Sequence, residues 1–223
     1  QREALQHATT SAVMDHKMAH EKNPILDELS AIYEGRAHRQ YGLSLINQRA
    51  HALQSADLAR EQGLPARLVV ACLLHDIGHM VHELGEHPAA DGVDDHHEQL
   101  GADWLSRYFG PEVTEPVRLH VQAKRYLCSV EPEYLSKLSR DSIESLSLQG
   151  GPMSDTEVAA FRMTEGWKDA LQVRRIDELA KDPDRRPPDF IDFAPEILSL
   201  ASLTSRSIAL PAVVSLDKTN PLD

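Results

Sequence analysis

The stretch that decides the fold is Leu73-Leu74-His75-Asp76-Ile77-Gly78-His79, which continues an almost entirely apolar segment. Periodicity predicts one buried helix over residues 66–79. Burying an ionised carboxylate without a partner is prohibitively costly, and a bound metal ion is the usual compensation. The His75-Asp76 pair inside this segment therefore predicts a metal site in the core of the protein.

The composition around this stretch favours helices. The chain has 223 residues, of which 41% are hydrophobic and only 5% aromatic. Abundant Leu and Ala suit a helical domain, whereas a β-sandwich would need more Val, Ile, Thr and aromatic residues. Apolar residues recur at helical spacing in segment after segment, and no alternation is strong enough for a sheet. We expect an all-α bundle.

Several polar side chains fall on apolar helix faces. His51 lies at the rim of one such face, and His120 and Lys124 follow Val113 at i+7 and i+11, on the inward side of the next long helix. Asp177 lies on the apolar face of a last strong helix, which is predicted to span about 167–181. Polar residues that face the core in this way are candidates for the chemistry of a site.

The charge and the cysteines of the chain exclude several classes of protein. The formal net charge is −12 at pH 7, which argues against a broad surface for nucleic acid or anionic membrane. Cys72 and Cys128 provide no disulfide framework and are expected to be core residues. No apolar stretch approaches the roughly 20 residues that cross a bilayer. We expect a soluble, cytoplasmic protein with no obligate protein partner.

One domain is expected between two extensions. Residues 1–20 are weakly patterned and are predicted to be an N-terminal extension, with Met18 as the natural start and added sequence before it. The helical domain is predicted to span 21–201, and residues 202–223 to form a C-terminal tail. Inside the domain we expect a turn at Gln149-Gly150-Gly151-Pro152, followed by a capping box at Ser154-Asp155-Thr156-Glu157 that opens a helix.

The candidate metal ligands are four histidines and two aspartates, on separate helices except for one adjacent pair: His51, His75, Asp76, His97, His120 and Asp177. Such a set can hold two metal ions if Asp76 bridges them, and it leaves open coordination positions. Nitrogen and oxygen donors without thiolates suit iron or manganese and argue against a structural zinc site. The neighbouring His96 is an alternative to His97 as the metal ligand at this point of the chain.

The order of these residues resembles the dinuclear form of the HD-domain superfamily, most of whose members are metal-dependent phosphohydrolases. A smaller branch uses two irons to activate O2, and this chain looks like the hydroxyphosphonate oxygenases of that branch from about Tyr41 to Lys181. The shared motifs besides the ligands are Asn47-Gln48, Leu74-His75-Asp76-Ile77-Gly78-His79, His97-Glu98, Ala123-Lys124-Arg125-Tyr126-Leu127, Gln149-Gly150-Gly151-Pro152-Met153-Ser154 and Arg174-Arg175. The resemblance implies an HD-domain helical bundle with a dinuclear site in its core.

The resemblance also implies the roles of individual residues. One iron of a mixed-valent Fe(II)/Fe(III) pair would be held by His51, His75, Asp76 and Asp177, and the other by Asp76, His97 and His120. O2 would be the cosubstrate. The implied catalytic residues are Tyr41, His79 and Lys124. The implied contacts to a small hydroxyphosphonate are Tyr41, Ser44, His79, Lys124, Ser142, Ser145 and Arg174. On the residues alone, Arg174 would be interpreted as a solvated helix charge.

Ser44 indicates which substrate is used. Aminophosphonate enzymes of this branch have a glutamate three residues after the tyrosine, where this chain has Ser44. A trimethylammonium group has no N–H to donate and is better held by aromatic faces than by a carboxylate. The implied reaction converts (R)-1-hydroxy-2-(trimethylammonio)ethylphosphonate to glycine betaine and phosphate. If Ser44 has no such meaning, or if Glu34 supplies the carboxylate, the substrate would be 2-amino-1-hydroxyethylphosphonate and the product glycine.

Two other classes of protein remain open on the sequence. The same ligands suit an HD phosphohydrolase that acts on a nucleotide or phosphomonoester through metal-activated water, without O2. A non-catalytic HD-like sensor is disfavoured because every expected ligand position is filled.

Overall fold

The computed structural model describes residues 23–35, 46–81 and 94–201. The helices in chain order are α1 (Pro24–Glu34), α2 (Gln48–Glu61), α3 (Ala66–Leu74), α4 (Gly78–Val81), α5 (His97–Leu105), α6 (Pro111–Val130), α7 (Tyr134–Lys137), α8 (Arg140–Leu148), α9 (Asp155–Phe161), α10 (Trp167–Leu179) and α11 (Ala194–Leu200), with a 3-10 helix (Phe190–Phe193) before α11. These residues include no β-strand, so the all-α prediction is confirmed. The predicted extensions, 1–20 and 202–223, lie outside the described residues.

The hydrophobic core has two parts. The larger part surrounds α3, where every residue from Leu68 to Leu74 is buried, and includes residues of α1, α2 and α11. The smaller part lies between the second half of α6 and the segments from α7 to α10. Full burial of one leucine contributes roughly 1.5–3 kcal/mol relative to exposure, which explains why α3 is central. Cys72 and Cys128 are buried, one in each part, as expected.

The local structure around α9 agrees with the sequence prediction. Gly150 and Gly151 both have positive φ, +93° and +71°, a conformation that glycine adopts without steric cost. Arg125 of α6 donates through Nε to the Gly151 carbonyl at 2.8 Å, which ties this turn to α6. Ser154 and Glu157 form the predicted capping box at the start of α9.

One predicted helix is wrong in its extent. Residues 66–79 do not form one helix, because α3 ends at Leu74 and α4 begins at Gly78. In the intervening turn, main-chain N–H groups donate to carbonyls three residues back rather than four, as in Ile77 N to Leu74 O at 3.1 Å. His75 and Asp76 therefore lie at the C-terminal end of α3 and not in mid-helix. The last strong helix, α10, begins at the predicted Trp167 and ends at Leu179, within two residues of the approximate predicted end.

Gly78 permits a close approach between α4 and α5. A Cβ atom at residue 78 would lie 1.9 Å from the carbonyl oxygen of His97, so no side chain fits there. His96, just before α5, has φ +48°, an uncommon left-handed conformation for a residue other than glycine. Together these features bring the start of α5 against the turn that carries His75 and Asp76.

None of the helices in 23–35, 46–81 and 94–201 combines the length and the apolar character that a membrane span requires.

Candidate metal centre

The six predicted ligand side chains converge at one place in the core. They come from α2, from the turn after α3, from the first residue of α5, from the middle of α6 and from the last turn of α10. None of the six is more than 6% exposed: His51, His75, Asp76, His97, His120 and Asp177. Burial of so many polar groups at one point distinguishes this cluster from the apolar packing around it.

The ligand atoms form two groups. In the first group, the Nε2 atom of His51 lies 3.2 Å from Nε2 of His75 and 3.3 Å from Oδ1 of Asp177. In the second group, the Nε2 atoms of His97 and His120 lie 3.2 Å apart. Each group presents its donor atoms to one shared point.

Asp76 lies between the two groups. Its Oδ2 is 3.4 Å from Nε2 of His75 and 3.6 Å from Nε2 of His51, while its Oδ1 is 3.7 Å from Nε2 of both His97 and His120. Burial opposes ionisation of this carboxyl, but its electrostatic interaction with the neighbouring histidines, His75 foremost, holds its pKa well below the usual range. One ionised carboxylate thus faces each group with a different oxygen, as a bridging ligand requires.

The tautomers of the four imidazoles are fixed by acceptors behind them. Three Nδ1 atoms donate to main-chain carbonyls: His51 to Ala180 (2.8 Å), His75 to Cys72 (2.9 Å) and His120 to Val117 (2.7 Å). Nδ1 of His97 donates to Oδ1 of Asp95 at 2.9 Å. Because these oxygens only accept, each Nδ1 carries the proton and each Nε2 is the nitrogen with the lone pair. Metal-binding histidines are usually oriented in this way.

The donor atoms fit metal ions. Ligand atoms about 2.1 Å from one ion, at angles between a right angle and the tetrahedral angle, lie roughly 3.0–3.4 Å apart, which matches the N–N distances of 3.2 Å. Within the described part of the chain, Oδ2 of Asp76 and Oδ1 of Asp177 are buried and accept no hydrogen bond. Carboxylate oxygens that accept no hydrogen bond are costly to bury, and a metal ion beside each would stabilise them. The Lys181 ammonium, 3.6 Å from Oδ1 of Asp177, pairs with that oxygen without a hydrogen bond.

Burial keeps most of these imidazoles neutral. It lowers the pKa of His51 and of His75 to about 4, and that of His120 well below its usual range. Burial also opposes protonation of His97, but the hydrogen bond and the charge of Asp95 outweigh it and raise the pKa of His97. Neutral imidazoles are the form that binds a metal ion, so the first group is ready for one at neutral pH.

A cluster of buried cations and hydroxyls, called the cationic pocket below, adjoins the first group. Lys124 is 4% exposed and its Nζ donates to Oγ of Ser145 at 2.7 Å. Arg174 is 3% exposed, donates to Oγ of Ser142 at 3.1 Å and also donates to Asp177. The interpretation of Arg174 as a solvated charge is therefore wrong. Four of the predicted phosphonate contacts lie together, and Asp177 joins them to the metal ligands.

The sequence prediction missed four residues of this pocket. Nζ of Lys181 lies 3.2 Å from both Oγ of Ser139 and Oε2 of Glu178. Glu178 also accepts from the Ser139 main-chain N at 2.6 Å and from Arg174. The Tyr134 hydroxyl accepts from Arg174 Nε at 2.9 Å. A signal was available in the sequence, since Glu178 and Lys181 follow Arg174 at i+4 and i+7, the spacing of one helical face.

The pocket is suited to an anion. Burial, with the charges of Arg174 and Lys181, lowers the pKa of Lys124 to about 7. Burial opposes ionisation of Glu178, but Arg174 and Lys181 lower its pKa to about 2. Arg174 and Lys181 thus pair with both Glu178 and Asp177. Lys124 adds a third basic side chain, which is hydrogen-bonded to the Ser145 hydroxyl. Fixed cations and hydroxyls in a buried pocket are the donors that a phosphonate or phosphate requires.

His79, a predicted substrate contact, lies beside the second ligand group. Its ring stacks on that of His97 with centroids 3.8 Å apart, and its Nδ1 donates to Oδ2 of Asp95 at 2.6 Å. The His79 side chain is 25% exposed, so it lies at the rim of the cluster. The side chain of the competing His96 is 70% exposed, and His97 is the one that faces the site. Asp95 was not predicted.

Two predicted site residues, Tyr41 and Ser44, lie outside the described residues. Glu34, the alternative carboxylate for an amine, is exposed at the end of α1 and accepts from the Ser30 hydroxyl at 3.2 Å.

Comparison with known proteins identifies the family. The family model described as HD domain matches residues 49–182, which contain all six converging side chains and lie within the predicted domain of 21–201. The chain belongs to the HD-domain family. This match confirms the predicted HD-type helical bundle.

Two curated relatives narrow the relationship. The chain is 41% identical over 173 residues to [1-hydroxy-2-(trimethylamino)ethyl]phosphonate dioxygenase (glycine-betaine-forming) of Leisingera caerulea, covering 78% of this chain and 88% of that protein. It is 43% identical over 157 residues to hydroxymethylphosphonate dioxygenase of Gimesia maris, covering 69% of this chain and 77% of that protein. These similarities confirm the predicted relationship to the hydroxyphosphonate oxygenases and the predicted enzyme class, a dioxygenase.

Proposed function

We propose that this protein is a diiron dioxygenase that cleaves the carbon–phosphorus bond of (R)-1-hydroxy-2-(trimethylammonio)ethylphosphonate, giving glycine betaine and phosphate. The proposal rests mainly on one contact: Asp177, a member of the six-donor cluster, accepts a hydrogen bond from Arg174 of the buried cationic pocket. A substrate that occupied both features would place its anionic end among cations and its adjacent carbon beside the metal ligands.

The metal ligands have the roles that their grouping suggests. His51, His75, Asp76 and Asp177 would hold one iron, and Asp76, His97 and His120 the other. When bound, this pair would supply the activation of O2 and the redox chemistry. The choice of iron is supported by the dioxygenase relatives and by a donor set of imidazoles and carboxylates without thiolate.

The cationic pocket would bind the phosphonate. Lys124 and Arg174 would donate charge-assisted hydrogen bonds to its oxygens, and the hydroxyls of Ser142 and Ser145 would complete the donor set. Because the two basic side chains are at least 96% buried, water competes little with the ligand for them. His79 would contact the substrate from the side of the second group, and Tyr41 would occupy a metal position until substrate arrives.

The reaction balances without an external reductant. One hydroxyphosphonate and one O2 give one carboxylate and one phosphate, with one C–P and one C–H bond broken and both oxygen atoms retained in the products. The residues of the pocket would bind, orient and neutralise the phosphonate during this change.

The trimethylammonium substrate is supported by Ser44 and by the Leisingera relative. A second candidate substrate, hydroxymethylphosphonate, is favoured by the identity of 43% to the Gimesia dioxygenase, and it would yield formate. It has no amine, so the absence of a glutamate at position 44 suits it equally. A substrate with a primary amine is less well supported, because Glu34, the alternative carboxylate for its ammonium group, is exposed and accepts from Ser30.

The proposal is tested with iron-loaded enzyme and the three hydroxyphosphonates, under air and without O2. We expect one phosphate released per O2 consumed, fastest with the trimethylammonium compound, and glycine betaine as its product. Hydrolysis of a phosphomonoester without O2 but with Mg²⁺ or Mn²⁺, or no phosphate from any hydroxyphosphonate, would overturn it.

A matched pair of arginine variants tests the pocket in the same assay. Arg174→Gln should raise KM for the phosphonate at least tenfold, since a charge-assisted hydrogen bond contributes about 1.5–3 kcal/mol. Arg175→Gln, its exposed neighbour paired with Glu131, should leave KM unchanged. Equal KM values for the two variants would place the phosphonate elsewhere.

A further inference from the structure

Asp95 connects two imidazoles with one carboxylate. Its Oδ1 lies 2.9 Å from Nδ1 of His97, and its Oδ2 lies 2.6 Å from Nδ1 of His79. The two rings stack with an interplanar angle of 23° and a centroid distance of 3.8 Å. Asp95 itself is 8% exposed. One of its partners is a proposed metal ligand and the other a proposed substrate contact.

The chain is shaped locally to make this arrangement. The left-handed conformation of His96 turns the backbone so that the Asp95 carboxylate also accepts from the main-chain N of His97, at 3.3 Å to Oδ1. Gly78 lets the backbone of His97 approach α4 closely, which sets His79, the next residue, against the His97 ring. Two uncommon backbone features therefore serve the same three side chains.

His97 differs from the other imidazoles of the cluster in its acceptor. His51, His75 and His120 donate through Nδ1 to neutral main-chain carbonyls, whereas His97 donates to a carboxylate. A carboxylate behind a ligand imidazole fixes its tautomer and makes the free nitrogen a stronger donor to a metal ion. The same carboxylate places the proton of His79 on Nδ1, so Nε2 is the nitrogen without a proton.

We propose that Asp95 is a positioning residue that fixes the tautomers of His97 and His79 together, keeping Nε2 of His97 for a metal ion and Nε2 of His79 for the substrate. The part that concerns His79 and substrate rests on the proposed function. Asp95 acts only through the two imidazoles and has no direct contact with either ligand in this role.

Replacing the carboxylate by an amide separates the two effects. Oδ1 of Asp95 receives two N–H groups from His97, so the oxygen of an asparagine fits there and its NH2 group does not. The NH2 group of Asp95→Asn would then face Nδ1 of His79, which must give up its proton and carry it on Nε2 instead. Asp95→Ala removes the acceptor from both rings.

The test uses the chelator-treated full chain and Zn²⁺, a diamagnetic ion that imidazoles bind. In 15N spectra of histidine-labelled, zinc-loaded protein, we expect His79 to be protonated at Nδ1 in the wild type and at Nε2 in Asp95→Asn. Zinc titration of Asp95→Ala should show affinity lowered 10–100-fold, the usual effect of removing such a partner. Asp94→Asn is the matched control, because Asp94 accepts from His96, and both readouts should equal the wild type.

Either of two results would overturn the inference: His79 still protonated at Nδ1 in Asp95→Asn, or zinc affinity unchanged in Asp95→Ala. Asparagine has nearly the shape of aspartate, so the tautomer measurement decides the question even if the alanine variant does not fold. Neither readout contains a phosphonate. A wild-type protein that turned over no hydroxyphosphonate would therefore count against the proposed function and not against this role of Asp95.

Discussion

Asp76 is the residue on which the dinuclear proposal depends, because each of its oxygens faces a different group of imidazoles. In Asp76→Asn one oxygen becomes an NH2 group, which cannot ligate a metal ion. We expect the bound iron, measured by elemental analysis after gel filtration, to fall to half of the wild-type value or less. Asp103→Asn, which changes an exposed carboxylate that accepts from Gln99, should bind as much iron as the wild type. Full iron content in Asp76→Asn would contradict a bridging role.

Lys124 should make substrate binding depend on pH. Burial and two neighbouring cations lower its pKa to about 7, so its ammonium is charged below that pH and neutral above it. We expect kcat/KM for the hydroxyphosphonate to fall as the pH rises through about 7, because this ratio reports the free enzyme. Lys124→Gln should abolish this decrease with pH and lower kcat/KM at pH 6 at least tenfold.

The control for this pH profile is Lys137→Gln, which alters an exposed lysine paired with Glu133 and should keep the wild-type curve. A wild-type profile that is flat between pH 6 and 8, or one that survives in Lys124→Gln, would assign the titration to another group.

The sequence was sufficient to predict the side chains that converge, and insufficient for those that support them. A charged pair in an apolar run and polar residues on apolar faces are anomalies within single helices, so the sequence indicates them directly. Asp95 and Ser139 show no such anomaly. Asp95 meets His79, 16 residues away in the sequence, and Ser139 meets Glu178, 39 residues away, and only the folded chain brings these partners together.

At the level of elements, periodicity predicted the helices but not where α3 ends. The spacing of apolar residues over 66–79 is the same whether main-chain N–H groups donate four residues back, as in an α-helix, or three. The apolar pattern therefore does not reveal the turn at Ile77. The need for glycine at position 78 was equally hidden, because the atom that a side chain would meet is the carbonyl oxygen of His97 in another helix.

The crossing of α4 and α5 supplies a graded test. A Cβ at residue 78 would lie 1.9 Å from the His97 carbonyl oxygen, whereas one at residue 101 would lie 3.1 Å from the Gly78 nitrogen. Overpacking usually costs about 1–3 kcal/mol, and a clash with a backbone atom more. We expect Gly78→Ala to lose about 3 kcal/mol or more of unfolding free energy in urea titrations, and Gly101→Ala clearly less. Equal losses would mean that the helices separate easily.

At the scale of the whole molecule, a polar cluster sits inside the apolar core and makes stability depend on pH. The folded pKa of His51 and of His75 is about 4, below the unfolded value of 6.5, and that of His120 is also lowered. Their contribution to stability is therefore complete above pH 6.5 and is lost as the pH falls towards 4. The raised pKa of His97 favours the folded state on acidification, but three other imidazoles with lowered pKa values oppose it.

We expect the Tm of the metal-free protein to decrease steadily between pH 6.5 and 4, as followed by circular dichroism. The variant His51→Gln/His75→Gln should show a smaller decrease, since two of the imidazoles that resist protonation are gone. A Tm that is constant or rises on acidification would contradict the neutral state assigned to these buried rings.

Anomalous diffraction at the iron edge, from crystals of the iron-loaded protein, tests the dinuclear centre most directly. We predict two iron peaks, one on either side of the Asp76 carboxylate, the first beside His51, His75 and Asp177 and the second beside His97 and His120. A single peak, or no peak at this cluster in protein that contains iron, would contradict the proposal that these six side chains hold a pair of metal ions.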